Sequence, residues 1–109
     1  MPDEQPKFEV LKGHVDLLVL SALGTGPAHG YAVVEAVRSR SAGAFDLAEG
    51  TVYPALYRLE RQGFLESGWS ESAARRRRVY QLTGRGRSEL ARHRQQWGGY
   101  VSAMRASLA

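Results

Sequence analysis

The 109-residue chain contains no cysteine, which excludes a disulfide framework, a thiolate nucleophile and any cysteine-based zinc or iron–sulfur site. Long apolar runs are missing too: none exceeds four residues, as at Leu17–Leu20, far short of the roughly 20 that a membrane helix needs. The opening MPDEQPKFE is acidic and lacks the basic and apolar regions of a signal peptide, so a cytoplasmic protein is expected. Histidine is scarce, and His14, His29 and His93 are not spaced as ligands, so neither a metal nor another cofactor is expected. Gly24, Gly26 and Gly30 fail the dinucleotide spacing, and no Walker loop, catalytic triad or paired carboxylates can be identified. Nothing in this pattern argues for an enzyme.

Acidic residues are nearly absent from the last third. Residues 1–72 hold six Lys or Arg against ten Asp or Glu, whereas residues 73–109 hold nine arginines against Glu89 alone. The formal charge of +4 thus conceals a strongly basic C-terminal part. Arginine pairs bidentately with phosphate, so a nucleic-acid partner is favoured; no broad Trp, Phe and Leu face accompanies the arginines, which argues against a membrane surface. With 43% hydrophobic and 24% charged residues, the composition is that of a soluble globular domain. At this length a partner subunit could supply much of the burial.

The pattern predicts a mainly α fold with a small β-hairpin. Residues 1–9 read as a tail leading into a first helix over Phe8–Leu23, with Leu11, Val15, Leu18 and Ala22 on one stripe. A second helix is expected from about His29 to Arg40, with Val33, Val34 and Val37 inward. The third occupies EGTVYPALYRLERQGF, residues 49–64, where Val52, Leu56, Leu59 and Gly63 recur at helical spacing. Gly50, Pro54, Tyr57 and Arg61 then lie opposite Leu56, with Arg58 at their flank. The plain reading of that face is a solvated surface; the functional one is a helix offered to a phosphate-lined groove. Pro54 keeps the helix intact if Thr51 is its cap, and forfeits a bond to the Gly50 carbonyl if the helix starts near Ala48. Glu49 and Glu60 are expected to offset Arg58 and Arg61 locally.

Two strands, Leu65–Trp69 and Arg77–Leu82, are expected to flank a polar connection at Ser70–Arg76, which puts Arg75–Arg78 at the tip and first residues of a hairpin. Four adjacent arginines repel one another, so phosphate contact explains them better than stability does. A long helix follows Thr83 as N-cap, with Leu90, Trp97, Val101, Met104 and Leu108 on its apolar stripe. That spacing fits an imperfect heptad seam with Arg94 at one apolar position, and hence pairing with a second copy of the chain. Gly98–Gly99 suits either close helix approach or a bend.

These residues together resemble the PadR-like transcriptional regulators, winged helix-turn-helix repressors named after a regulator of phenolic acid decarboxylase. The resemblance runs over Leu11–Leu90, in LKGHVDLLVLSAL, GPAHGY, GTVYPALYRLERQGFLES and RRRVYQLTGRGR. It implies a winged helix-turn-helix DNA-binding domain over residues 10–82 and a dimerisation helix over residues 83–109. The DNA-facing residues would be Gly50, Thr51, Tyr53, Pro54, Tyr57 and Arg58, joined on charge and position by Arg61, with Arg75, Arg76, Arg77 and Arg78 on the backbone. A homodimer would be built by the last helix and the first, through Leu11, Leu18, Leu90, Trp97, Val101, Met104 and Leu108. A planar apolar effector could lie between the subunits against Trp97, where plain dimer packing is the alternative. Two departures, Ala48-Glu49 before Gly50 and Ala73-Ala74 in the wing, bear on the helix cap and site preference. The expected function is sequence-specific regulation, as a dimeric repressor released by a small molecule. The alternatives are a winged-helix protein-interaction module and a non-specific architectural DNA binder.

Overall fold

The computed structural model describes residues 14–72 and 75–109. The tail over residues 1–9, Leu11 and Ala73-Ala74 lie outside the described residues. Helix α1 (Val15–Ala22) runs into a single 3-10 turn at Leu23–Thr25, and a two-residue strand β1 (Ala28–His29) leads into α2 (Gly30–Arg40). Helix α3 (Glu49–Arg61), strands β2 (Leu65–Ser72) and β3 (Arg75–Leu82), and helix α4 (Gly84–Leu108) complete the order. The fold is a winged helix, mostly helical, with an antiparallel three-stranded sheet in the order β1-β3-β2.

One core joins these elements. Leu20 from α1, Val33 from α2, Val52, Leu56 and Leu59 from α3, and Tyr80 from β3 are almost wholly removed from solvent. Because Val52, Leu56 and Leu59 repeat at helical spacing, α3 has one buried side, and every polar residue opposite is left outside. Its C-terminus is fixed by backbone geometry. Gly63 takes φ 87°, Phe64 N–H donates to Leu59 O and Gly63 N–H to Glu60 O, both at 3.0 Å, the Schellman arrangement that closes a helix. The same pair of bonds ends α2, from Gly43 N–H to Arg38 O at 2.8 Å and Ala42 N–H to Ser39 O at 3.2 Å. There the left-handed position is held by Ala42, at φ 54°.

Helix α3 starts at Glu49 with Ala48 as its N-cap, so Pro54 lies inside the helix and forfeits the bond to Gly50. The hairpin differs from expectation. Its strands pair from Leu65↔Leu82 out to Ser72↔Arg75, so the residues expected to form a connection at Ser70–Arg76 are mostly strand, and Arg75–Arg78 all belong to β3. The third strand is also new: Ala28 and His29 pair with Tyr80 and Val79 on the free edge of β3.

Thr83 caps α4, its Oγ1 accepting from Gly86 N–H at 3.0 Å. The helix runs unbroken through Gly98-Gly99 for 25 residues, about 37 Å. Within it Gly86 and Leu90 are buried, and the helix then leaves the core. Leu90 belongs to the chain's own core, which corrects its assignment to a seam between subunits: a periodic stripe does not distinguish the partner it faces.

Candidate nucleic-acid interface

The exposed side of α3 carries Gly50, Thr51, Pro54, Tyr57, Arg58 and Arg61, all open to solvent, with Tyr57 53% exposed. Ala48 provides no side-chain hydrogen bond to the first turn, so the leading amides of α3 lack a cap of that kind. Tyr53 departs from the group. It is half-buried, and a Cβ placed on Gly30 would fall 2.3 Å from its Cε1, so its ring rests on the first residue of α2 and sets the approach of the two helices.

An open cleft of about 560 Å³ separates these helices from the wing. Gly30 and Tyr31 at the start of α2, His29 before it, Glu49 and Tyr53 of α3, and Arg76, Arg77 and Arg78 of β3 line it. Three guanidiniums against the single Glu49 carboxylate make this lining basic. The wing arginines are also organised by an aromatic ring. Trp69 pairs across the strands with Arg78, and the guanidinium carbons of Arg76 and Arg78 lie 4.6 and 5.3 Å from its ring centroid. The ring is 55% exposed yet fixes two cations in place. Trp69, His29 and Tyr31 are site residues that sequence reasoning did not select.

Two carboxylates tie the cations to the scaffold. Arg58 donates to Asp16 of α1, and Glu60 accepts from Ser67 Oγ at 2.6 Å while lying 3.9 Å from Arg78. The local offset expected from Glu49 and Glu60 is thus replaced by longer-range pairs, because the N-terminus of α1 and the wing flank α3. Arg61 has no hydrogen bond or ion pair among the described residues. His29 caps α2, its Nδ1 accepting from Ala32 N–H at 3.3 Å, and its Nε2 is 2.6 Å from an Arg77 guanidinium nitrogen. Burial first, and the Arg77 charge second, hold the His29 pKa below its ordinary value.

The sequence profile of the transcriptional regulator PadR-like family matches residues 19–92. The chain belongs to this family. A crystal structure of a PadR family transcriptional regulator from Eggerthella lenta is 33% identical, with a TM-score of 0.78 over 93% of this chain and 87% of that one. One from Clostridium difficile is 32% identical, also with a TM-score of 0.78, over 89% of this chain and all of that one. A transcriptional regulator from Clostridium thermocellum, 28% identical, has a TM-score of 0.81 over 88% and 91% of the two chains. The PadR-like chain is therefore a transcription regulator with a DNA-binding winged helix, and its family and structural neighbours are regulators rather than enzymes.

Away from the cleft, α4 presents Trp97, Tyr100, Met104 and Leu108 to solvent, Leu108 at 76%. Val101 and, on α1, Leu18 are half-buried. Trp97 meets His14 edge-on at 4.8 Å and stacks on Tyr100 at 5.3 Å. These residues border a depression of about 250 Å³ between α1 and α4. Among the described residues no helix is long and apolar enough to cross a membrane, and no cluster of three potential metal ligands occurs.

Proposed function

We propose that this PadR-like regulator is a cytoplasmic homodimeric repressor, in which residues 10–82 bind DNA and residues 83–109 join two copies. Each α3 enters the major groove, two grooves about 34 Å apart being read by the two subunits. Gly50, Thr51, Tyr53, Pro54, Tyr57, Arg58 and Arg61 position the helix or read bases, and Arg75–Arg78 grip the backbone. The observation that carries this reading is the continuity of the exposed α3 face with the arginine-lined cleft of the wing. A row of large apolar side chains on α4 without cover in the single chain supports dimerisation. Leu11, Leu18, Trp97, Val101, Met104 and Leu108 form that interface. A planar apolar effector held at Trp97 would release the operator by shifting the angle between the two α3 helices.

The test is a salt-dependent titration with random DNA and with fragments selected from the source genome. Binding should weaken with salt, and selected fragments should bind far more tightly than random ones. Replacing Arg76 and Arg77 with alanine should weaken binding to all sequences and lower the salt slope by about 1.8, near 0.9 per phosphate contact. An unchanged slope defeats the wing assignment, and equal affinity for all fragments leaves an architectural binder. In a Trp69→Phe background, planar apolar compounds should alter Trp97 fluorescence; silence across a broad set assigns Trp97 to packing alone.

A further inference from the structure

His29 is set between two donors. Its Nδ1 accepts from Ala32 N–H as the cap of α2, and its Nε2 lies 2.6 Å from Nη1 of Arg77. A backbone amide and a guanidinium can only donate, and a neutral imidazole has one lone pair. While Nδ1 keeps the cap, Nε2 carries the proton and confronts a second donor. Protonating the ring makes both contacts donor against donor, in keeping with a pKa held below the ordinary value by burial and by Arg77. An oxyanion resolves the conflict. One oxygen accepting from Nε2–H and from Arg77 satisfies both groups, and the cap remains intact. Arg77 is exposed, so its guanidinium can turn to admit that oxygen.

We propose that His29 Nε2 and the Arg77 guanidinium form a two-donor seat for a DNA backbone phosphate at the mouth of the cleft between α2 and the wing. The inference rests on the reading of this chain as a DNA binder and adds to it a neutral contact outside α3 and the arginine run. The groups facing the seat are Tyr31 on α2, Glu49 and Tyr53 on α3, and Arg76 and Arg78 on β3. Glu49 is the one carboxylate among them, and the guanidiniums outnumber it. The cleft opens beside the exposed face of α3, so a phosphate here would flank the groove that α3 enters.

Two substitutions separate the seat from the cap. In His29→Asn the side-chain oxygen can replace Nδ1 as helix cap but is too short to reach the seat. In His29→Gln the amide nitrogen can reach it as a donor, but the cap is poor. His29→Asn should fold like the native chain and lose about tenfold in affinity for every sequence, the scale of a hydrogen bond to a charged group. Its salt slope at about pH 8 should stay unchanged, because a neutral donor replaces no counterion. His29→Gln should keep most of the affinity at reduced thermal stability. Arg77→Gln should lower the slope by about 0.9, and adding His29→Asn to it should cost much less than tenfold. Native affinity in His29→Asn, or equal losses in both His29 variants, would overturn the seat while leaving the DNA reading standing. Absence of salt-sensitive binding by the native chain would remove both. Exchanging chloride for inorganic phosphate at equal ionic strength should weaken DNA binding by the native chain more than by His29→Asn, because the free anion competes for the same seat; an equal effect on both chains would overturn the backbone contact.

Discussion

Gly30→Ala tests how α3 is aimed. An alanine Cβ at this position would lie 2.3, 2.5 and 2.7 Å from Cε1, Cζ and Oη of Tyr53, whereas carbon atoms rest at about 3.5 Å or more. The ring must therefore retreat by about 1.2 Å, or α3 must move with it. Overpacking of this kind costs about 1–3 kcal/mol, and the lower backbone entropy of alanine returns about 0.5–1 kcal/mol of that. A net loss of about 1–2 kcal/mol is expected, read by urea unfolding with an unchanged m-value. Because Tyr53 is the α3 residue that lines both the α2 contact and the cleft, DNA affinity should fall even where both proteins are fully folded. Tyr53→Leu removes the distal half of the ring, so adding Gly30→Ala to it should cost nothing or stabilise slightly. The cycle then gives a coupling of about 1–3 kcal/mol. An identical cost of Gly30→Ala in both backgrounds would refute the claim that this ring sets the approach of α3 to α2.

Trp69→Ala removes the ring that holds Arg76 and Arg78 but none of the charge. Affinity should fall several-fold with the salt slope retained, at about 0.5–1 kcal/mol for each cation–π contact; a flattened slope would contradict a purely positioning role. Ala42→Gly relieves the left-handed residue that closes α2, so thermal unfolding should show a gain of about 1 kcal/mol. Stability should also depend on His29. Its folded pKa is lowered, so the unfolded chain takes up the proton more readily, and stability is lost as pH falls through about 6.5. That loss should be absent from His29→Asn in melting curves between about pH 8 and 5, a range above the titration of Glu35 and Glu89, whose carboxyls are held low by Arg38 and Arg92.

Helix α3 was legible because a single period carried it: Val52, Leu56 and Leu59 mark the buried side, and Gly63 supplies the positive φ at which it stops. The wing was less so. Serine, glutamate, alanine and arginine over residues 70–76 include no Gly, Pro, Asn or Asp to mark a turn, and the strands gain their length from pairs such as Trp69↔Arg78 whose register only the folded hairpin fixes. That register also brings Trp69 to the arginines. Strand β1 is too short for any periodicity, and it exists because β3 has an edge left to pair. His29 escaped notice for the same reason, its partners being the start of its own helix and an arginine 48 residues away. Leu90 and Trp97 share one stripe, yet the fold buries the first and leaves the second partly exposed, since Leu90 packs into the core beside Gly24 whereas Trp97 meets His14 at the other end of α1.

The charge pairing sets how many of the arginines should register in the salt dependence. Arg58 faces Asp16 and Arg78 faces Glu60, so a phosphate approaching either must displace a carboxylate. Such partly exposed pairs remain in contact with solvent, are worth about 1 kcal/mol and can be exchanged for phosphate. The freed carboxylate then recruits a cation, which cancels the counterion that the phosphate releases. These two arginines therefore hold geometry while adding little to the slope, and Arg61 and Arg77, which pair with no carboxylate among the described residues, add more. Glu60→Gln separates the two roles, because its amide oxygen can still accept from Ser67 while the charge is gone. The slope should steepen by about 0.9 and affinity at low salt should rise. If the slope does not change, Arg78 was already bound to phosphate without hindrance from Glu60, and the carboxylates do not limit the contribution of Arg58 and Arg78.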